Sequence, residues 1–165
     1  MDVHGRTDSA VLAPLYVDPA GELHAVFTRR RDDLKRHAGE ISFPGGRRED
    51  GETLVQTALR EAHEEIGLPP EQVDLLGALE PTPTFVTNYA IYPFVGLIEH
   101  GQEWILQDAE VAEVLQLPVE TLRAAYEERR LVRKGIPFRT PTYEVDGHLI
   151  WGATGRILQD LLGRI

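Results

Sequence analysis

The alternation of apolar and polar positions divides the chain into short strands and a few helices. Residues 9–17, SAVLAPLYV, are apolar almost throughout, the pattern of a strand covered on both faces. Asp18-Pro19-Ala20-Gly21 reads as a turn, and residues 23–28 return as the second strand of a hairpin. A charged loop, 29–40, then leads to a short strand at 41–43 and a Gly-Gly turn. From Thr53 the period becomes helical. Leu54, Ala58, Leu59, Ala62 and Ile66 recur on one side, Thr53 and Gln56 have the spacing of a capping box, and Gly67 ahead of Pro69 and Pro70 ends the helix. Strands are predicted at 73–79, 90–98 and 111–117, with a shorter one at 104–106 and a loop over 81–89. Pro118 opens a helix predicted to reach Arg129. Residues 142–145 and 148–151 flank Asp146-Gly147, a hairpin on a type I′ turn, and 153–162 form a closing helix. Strands mixed with separated helices predict an α/β (α+β) sandwich. No repeat or long linker divides it, so one domain over 1–165 is expected.

Composition narrows the function classes. The 165 residues carry a net charge of −10, which argues against nucleic-acid binding through a broad basic surface. No apolar run reaches the length of a membrane span and the N-terminal residues lack a signal-peptide pattern. The absence of cysteine removes thiolate nucleophiles and zinc–thiolate sites, and fits a cytoplasmic protein. Charge is unevenly spread: Arg29, Arg30, Arg31, Lys35 and Arg36 cluster, offset by Asp32 and Asp33. The oligomeric state is left open as monomer or homodimer, with the apolar strand at 90–98 either core or a dimer face.

The helix after Thr53 has a second face. Glu61, Glu64 and Glu65 share it by helical spacing, with Arg60 and His63 beside them. Like charges so placed repel, and the arrangement suits either good solvation or a neutralising cation. A hard divalent ion such as Mg²⁺ takes oxygen ligands, carboxylates and substrate phosphates among them.

These residues stand in a longer pattern: Gly46, five residues, Glu52, seven residues, then Arg60-Glu61-Ala62-His63-Glu64-Glu65-Ile66-Gly67-Leu68. This resembles the signature of the Nudix hydrolases at every fixed position, with Ala62 a small choice for an aliphatic slot. The resemblance implies a mixed sheet between helices, and hydrolysis of a nucleoside diphosphate linked to another group by water attack on phosphorus. It implies Mg²⁺ (or Mn²⁺) held by Glu61 and Glu65, with Glu64 as a further ligand or the base that orients water, and the Gly45 carbonyl joining them. Glu52 and Arg60 would fasten loop to helix by charge-assisted hydrogen bonds, and Gly67 would be structural. Some members carry a base outside the signature; Glu110 and Glu113 are the candidates here.

The preceding stretch narrows the substrate. Thr28-Arg29-Arg30-Arg31, Lys35, Gly39 and Phe43-Pro44-Gly45-Gly46 resemble an additional motif of the coenzyme A pyrophosphatases of that family. Arg31 stands for a serine of that motif and Lys35 for an arginine, with Arg36 adjacent. Residues 92–96 and 150–158 also look like that subfamily. By this resemblance Arg29, Arg30, Lys35, Arg36 and Gly46 bind the substrate, the cations answering the 3′-phosphate of coenzyme A. The alternative enzyme reading is an ADP-ribose or nucleotide-sugar diphosphatase. A reading of another class is a nucleotide-sensing module without turnover, which typically lacks signature acids that this chain keeps.

Overall fold

The computed structural model of the chain describes residues 7–35, 38–84 and 88–165. In chain order, β1 (Thr7–Val17), β2 (Leu23–Arg30), β3 (Ile41–Ser42) and β4 (Gly45–Arg47) precede helix α1 (Leu54–Ile66). A single 3₁₀ turn, then β5 (Asp74–Ala78), β6 (Thr82–Pro83), β7 (Tyr89–Leu97) and β8 (Val111–Pro118) follow. The chain ends with α2 (Val119–Ala125), β9 (Tyr126–Arg133), β10 (Ile136–Val145), β11 (His148–Ile150) and α3 (Gly152–Arg164).

β1 organises the larger sheet. It pairs antiparallel with β2 and β4 and parallel with β7, while β8 lies on β2 and β5 on β7. Because successive side chains leave a strand on opposite faces, β1 feeds two cores. Ala10, Leu12 and Tyr16 pack with Ala58, Ala62 and Ile66 of α1 on one side. Ala13 and Leu15 pack on the other with Leu122 of α2, Tyr143 of β10 and Leu158 and Leu161 of α3. The result is the expected α+β sandwich, a mixed sheet held between helices. β7 is internal to the sheet, with Ala90 and Val95 buried, so the strand at 90–98 serves as core.

Three expectations are corrected. The helix from Pro118 stops at Ala125, and residues 126–133 form β9, paired along its length with β10. The run Glu-Glu-Arg-Arg favours helix by composition, but cross-strand pairing outweighs propensity here. Residues 104–106 form no strand: the Ile105 N–H donates to Ile66 O and the Gln107 N–H to Glu65 O, satisfying carbonyls of the last turn of α1. The Gly-Gly turn is a strand, β4, with Gly45 opposite Val11 and Gly46 opposite Ala10. β2 also runs two residues further than expected, through Arg29 and Arg30, and β6 lies within the loop expected at 81–89, of which 85–87 fall outside the described residues.

Local signals elsewhere hold. Thr53 and Gln56 form the reciprocal capping box, and Gly67 closes α1 in the left-handed conformation at φ 73°. Asp146 and Gly147 both take positive φ, as a type I′ turn requires. Among the described residues, no helix is long and apolar enough to cross a membrane.

α3 supplies a test of packing against the second sheet. A Cβ on Gly155 would collide with the backbone carbonyl of Pro141 in β10, whereas one on Gly163 would meet nothing. Gly155→Ala is expected to lower stability by about 1–3 kcal/mol, because a backbone atom must move. Gly163→Ala in the same helix should raise it by about 0.5–1 kcal/mol. Thermal and denaturant unfolding of the two variants measure both.

Candidate active site

The site is assembled where β4 meets α1. Gly46 has no side chain because Glu61 occupies its place: a Cβ there would lie 2.5 Å from Glu61 Cδ. A Cβ on Gly45 would strike the Ala10 carbonyl and lie 2.5 Å from Val11 Cγ1. These two glycines let the loop strand lie flat between β1 and the acidic helix. The Gly45 N–H then donates to Glu65 Oε2 at 2.9 Å.

The three α1 carboxylates, which the sequence reading put on one acidic face, occupy different environments. Glu64 is exposed and Glu61 partly covered, while Glu65 is buried at 9% exposure. Burial pushes the Glu65 carboxyl up to about 8, opposed by the Gly45 N–H, while Glu61 and Glu110 add to the rise and Arg30 counters it. Burial also raises Glu61, against the pull of Arg60 and with Glu64 and Glu110 raising it further. These are groups that want a cation.

Arg60 supplies part of one. Its Nε and Nη2 donate to Glu52 Oε2 and Oε1 at 2.7 and 3.0 Å, a bidentate pair. Its Nη1 donates to Glu61 Oε1 at 2.9 Å and Glu64 Oε2 at 3.2 Å, and its Nη2 to the Arg47 carbonyl at 3.2 Å. Glu52 also accepts from the Glu49 N–H at 2.9 Å and the Thr57 hydroxyl at 3.0 Å. The hydrogen bonds of Arg60 hold the Glu52 carboxyl down at about 2. Thr57, buried inside α1, is a fastening that the sequence reading missed; at its helical position nothing distinguished it from an ordinary threonine.

The structure separates the two candidates for an outside base. Residues 105–107 follow the end of α1 and bring Glu110 round to it, where its charge acts on both Glu61 and Glu65. Glu113 sits opposite Arg29 on the β2–β8 ladder and accepts from its Nε at 2.6 Å. Of the expected substrate cations, Arg29 is thus ion-paired with Glu113 and Asp32, the latter at 3.2 Å. Arg30 reaches the Glu65 field, Lys35 is exposed, and Arg36 lies outside the described residues. Arg31 is held by Asp33 and the Asp108 carbonyl.

The donor set fits a hard divalent ion: oxygen ligands only, two of them raised by burial, beside the Gly45 backbone. Among the described residues, the set of three with ligand atoms within 4.8 Å of one another is different: Asp18, Glu22 and His24. That set is explained by its turn, since Asp18 Oδ1 accepts the N–H groups of Ala20 and Glu22 at 2.9 Å each. On the other face of β4, a cavity of about 270 Å³ reaches the Gly45–Gly46 backbone and is lined by Ser9, Phe43, Tyr89 and Thr154. A larger one of about 470 Å³, between the β1–β2 turn and α2, is lined by Glu22, Glu120 and Arg123 and touches none of these residues.

The model of the NUDIX domain matches residues 6–135. The uncharacterized Nudix hydrolase NudL of Pectobacterium atrosepticum is 35% identical over 162 residues, covering 96% of this chain and 83% of that one. Among solved structures, the Nudix hydrolase RenU of M. smegmatis superposes with a TM-score of 0.62 at 21% identity, covering 72% of this chain and 74% of that one. The NUDIX domain of Shewanella oneidensis NrtR, complexed with ADP ribose, gives 0.58 at 18% identity, covering 73% and 77%.

The glycines and the Arg60 pair each yield a test. In Gly46→Ala the new methyl meets the flexible end of Glu61, so diphosphate turnover is expected to fall at least tenfold while the melting temperature moves little. Gly45→Ala meets backbone, and both activity and melting temperature should drop. Glu52, whose folded value is depressed below the unfolded 4.5, contributes stability above that pH and loses it as pH falls toward 2. Glu52→Gln should therefore be less stable than the parent at pH 7, the gap closing through that acid window; unfolding curves between pH 7 and 2.5 read it.

Proposed function

The chain belongs to the Nudix family, and on that footing we propose that it hydrolyses the diphosphate of coenzyme A or its derivatives to 3′,5′-ADP and 4′-phosphopantetheine (acyl forms giving the acyl product). Small nucleotide substrates with a diphosphate are the province of the family; the finer assignment rests on the basic segment. β2 ends on Arg29 and Arg30, and the Arg30 charge acts on Glu65. That charge beside a buried carboxylate, together with the resemblance of residues 28–46, is what carries the reading. A third phosphate on the nucleoside needs such a counter-charge, and a nucleotide sugar does not.

The reaction adds water across one P–O–P bridge. A new P–O bond forms at one phosphorus as the bridging oxygen departs with the other, and the water gives up its protons. Bound Mg²⁺ (or Mn²⁺) would neutralise the diphosphate and lower the pKa of water. Glu61, Glu65 and the Gly45 carbonyl would hold it. Glu64, exposed at the end of its Arg60 contact, or Glu110, whose charge acts on Glu61 and Glu65, would take the proton. Glu113 is the weaker choice because Arg29 already binds it. Arg60 and Glu52 position the glutamates rather than touch substrate.

The test compares coenzyme A, dephospho-coenzyme A and ADP-ribose with Mg²⁺, following products by phosphorus NMR. Coenzyme A is expected to be cleaved at least tenfold more efficiently than its dephospho form, with Arg30→Ala erasing the preference mainly through KM. Equal cleavage of the two forms, or better cleavage of ADP-ribose, would assign the basic segment another role and the substrate to the nucleotide-sugar class. Nucleotide binding without turnover of any diphosphate would leave a sensing module.

A further inference from the structure

β9 is the outer strand of the smaller sheet, whose order is β11-β10-β9, and its far edge carries no backbone hydrogen bonds among the described residues. An open edge is a template for another strand. Tyr126, Glu128, Arg130 and Val132 share one face of this strand, and all four are exposed, Tyr126 at 45% and Val132 at 67%. Read in either direction, that face runs apolar, charged, oppositely charged, apolar.

We propose that β9 pairs antiparallel with β9 of a second copy of the chain, the two-fold axis passing through Arg129. A two-fold perpendicular to a sheet keeps side chains on their own face, so residues of equal parity must lie opposite one another. Centring the axis on Arg129 sets Glu128 against the partner's Arg130, twice by symmetry, and Tyr126 against the partner's Val132. Moving the axis by one residue either way loses this. Centred on Glu128, that carboxylate faces its own copy; centred on Arg130, Glu128 faces the partner's Val132.

The strand is prepared for that arrangement. Arg129 on the axis already holds Glu127 at 3.1 Å and Glu144 at 3.6 Å, so two such arginines meet neutralised. Glu128 and Arg130 have no ion pair within their own chain among the described residues. Arg130 instead lies opposite Arg139 on β10, a like-charge pair that the partner's Glu128 would relieve. A strand meant only to repel others would carry one sign of charge or a proline; this one carries both signs in self-complementary order. The paired stretch is short against the roughly 1,200–2,000 Å² of a stable interface, so a dimer with micromolar dissociation is the form it predicts.

Sedimentation equilibrium of the full chain across the micromolar range tests this, with no dependence on the substrate. The parent should be a dimer in reversible exchange with monomer. Glu128→Arg or Arg130→Glu should each weaken association about tenfold or more, because two attractive pairs become two repulsive ones. The double variant E128R/R130E should return to the parent value, since the pairs are then attractive in reverse. Val132→Ser, a milder change, should weaken association without reversing charge, and circular dichroism should show all variants folded. A monomeric parent, a dimer indifferent to the single reversals, or a double variant as weak as the singles would each overturn the proposal.

Discussion

The bidentate contact between Arg60 and Glu52 is the constraint on which the active-site geometry depends. A guanidinium offers donors in one plane, and here they are shared between the loop after β4 and the acidic face of α1. Two donors take Glu52, at 2.7 and 3.0 Å, and the rest reach Glu61, Glu64 and the Arg47 carbonyl. Loop and helix are thereby fixed to each other by charge-assisted bonds. The capping box and Thr57 fix the loop to the helix start a second time. Both fastenings leave β4 running beside Glu61 and Glu65.

That fixed approach explains why the carboxylates differ. Glu65 is turned into the gap between α1 and β4, where it loses water and gains the Gly45 N–H. One neutral hydrogen bond does not offset that burial, and the acid is raised. Glu61 is covered by the glycine strand but keeps Arg60. Glu64 stays in solvent. A helix with three glutamates on one turn thus presents three acids of graded character, and the grading comes from what lies opposite each one.

Much of this was legible in the chain. The signature spacing named the loop, the helix and its glutamates; the capping box and Gly67 gave the helix ends; Asp146-Gly147 gave the last hairpin. What failed shares a cause. β9 and β10 contain Glu-Glu-Arg-Arg, Pro137 and Pro141, residues whose local preferences oppose a strand. Only the partner strand, opposite from Tyr126 to Arg133, decides between them. The segment 104–106 was misread for a complementary reason: the N–H groups of Ile105 and of Gln107 just after it go to helix carbonyls. The two candidates for an outside base are held differently for a reason that pairing alone supplies: Glu113 lies on the ladder opposite Arg29 and accepts from it, while the charge of Glu110 acts on Glu61 and Glu65.

The same ladder bears on how the basic segment works. Arg29 and Arg30 are neighbours on β2, so their side chains leave opposite faces of the sheet. Arg29 is consumed by Glu113 and Asp32, which raises its pKa further and holds its guanidinium in place. Arg30 is on the side whose charge is felt by Glu65. The ladder passes from Glu113 to Val111 as β2 steps from Arg29 to Arg30, so the extra residue of the bulge, Ala112, is on β8. A cluster of arginines that looks uniform in sequence is therefore divided by strand alternation, Arg29 bracing β8 through Glu113 while the charge of Arg30 acts on Glu65.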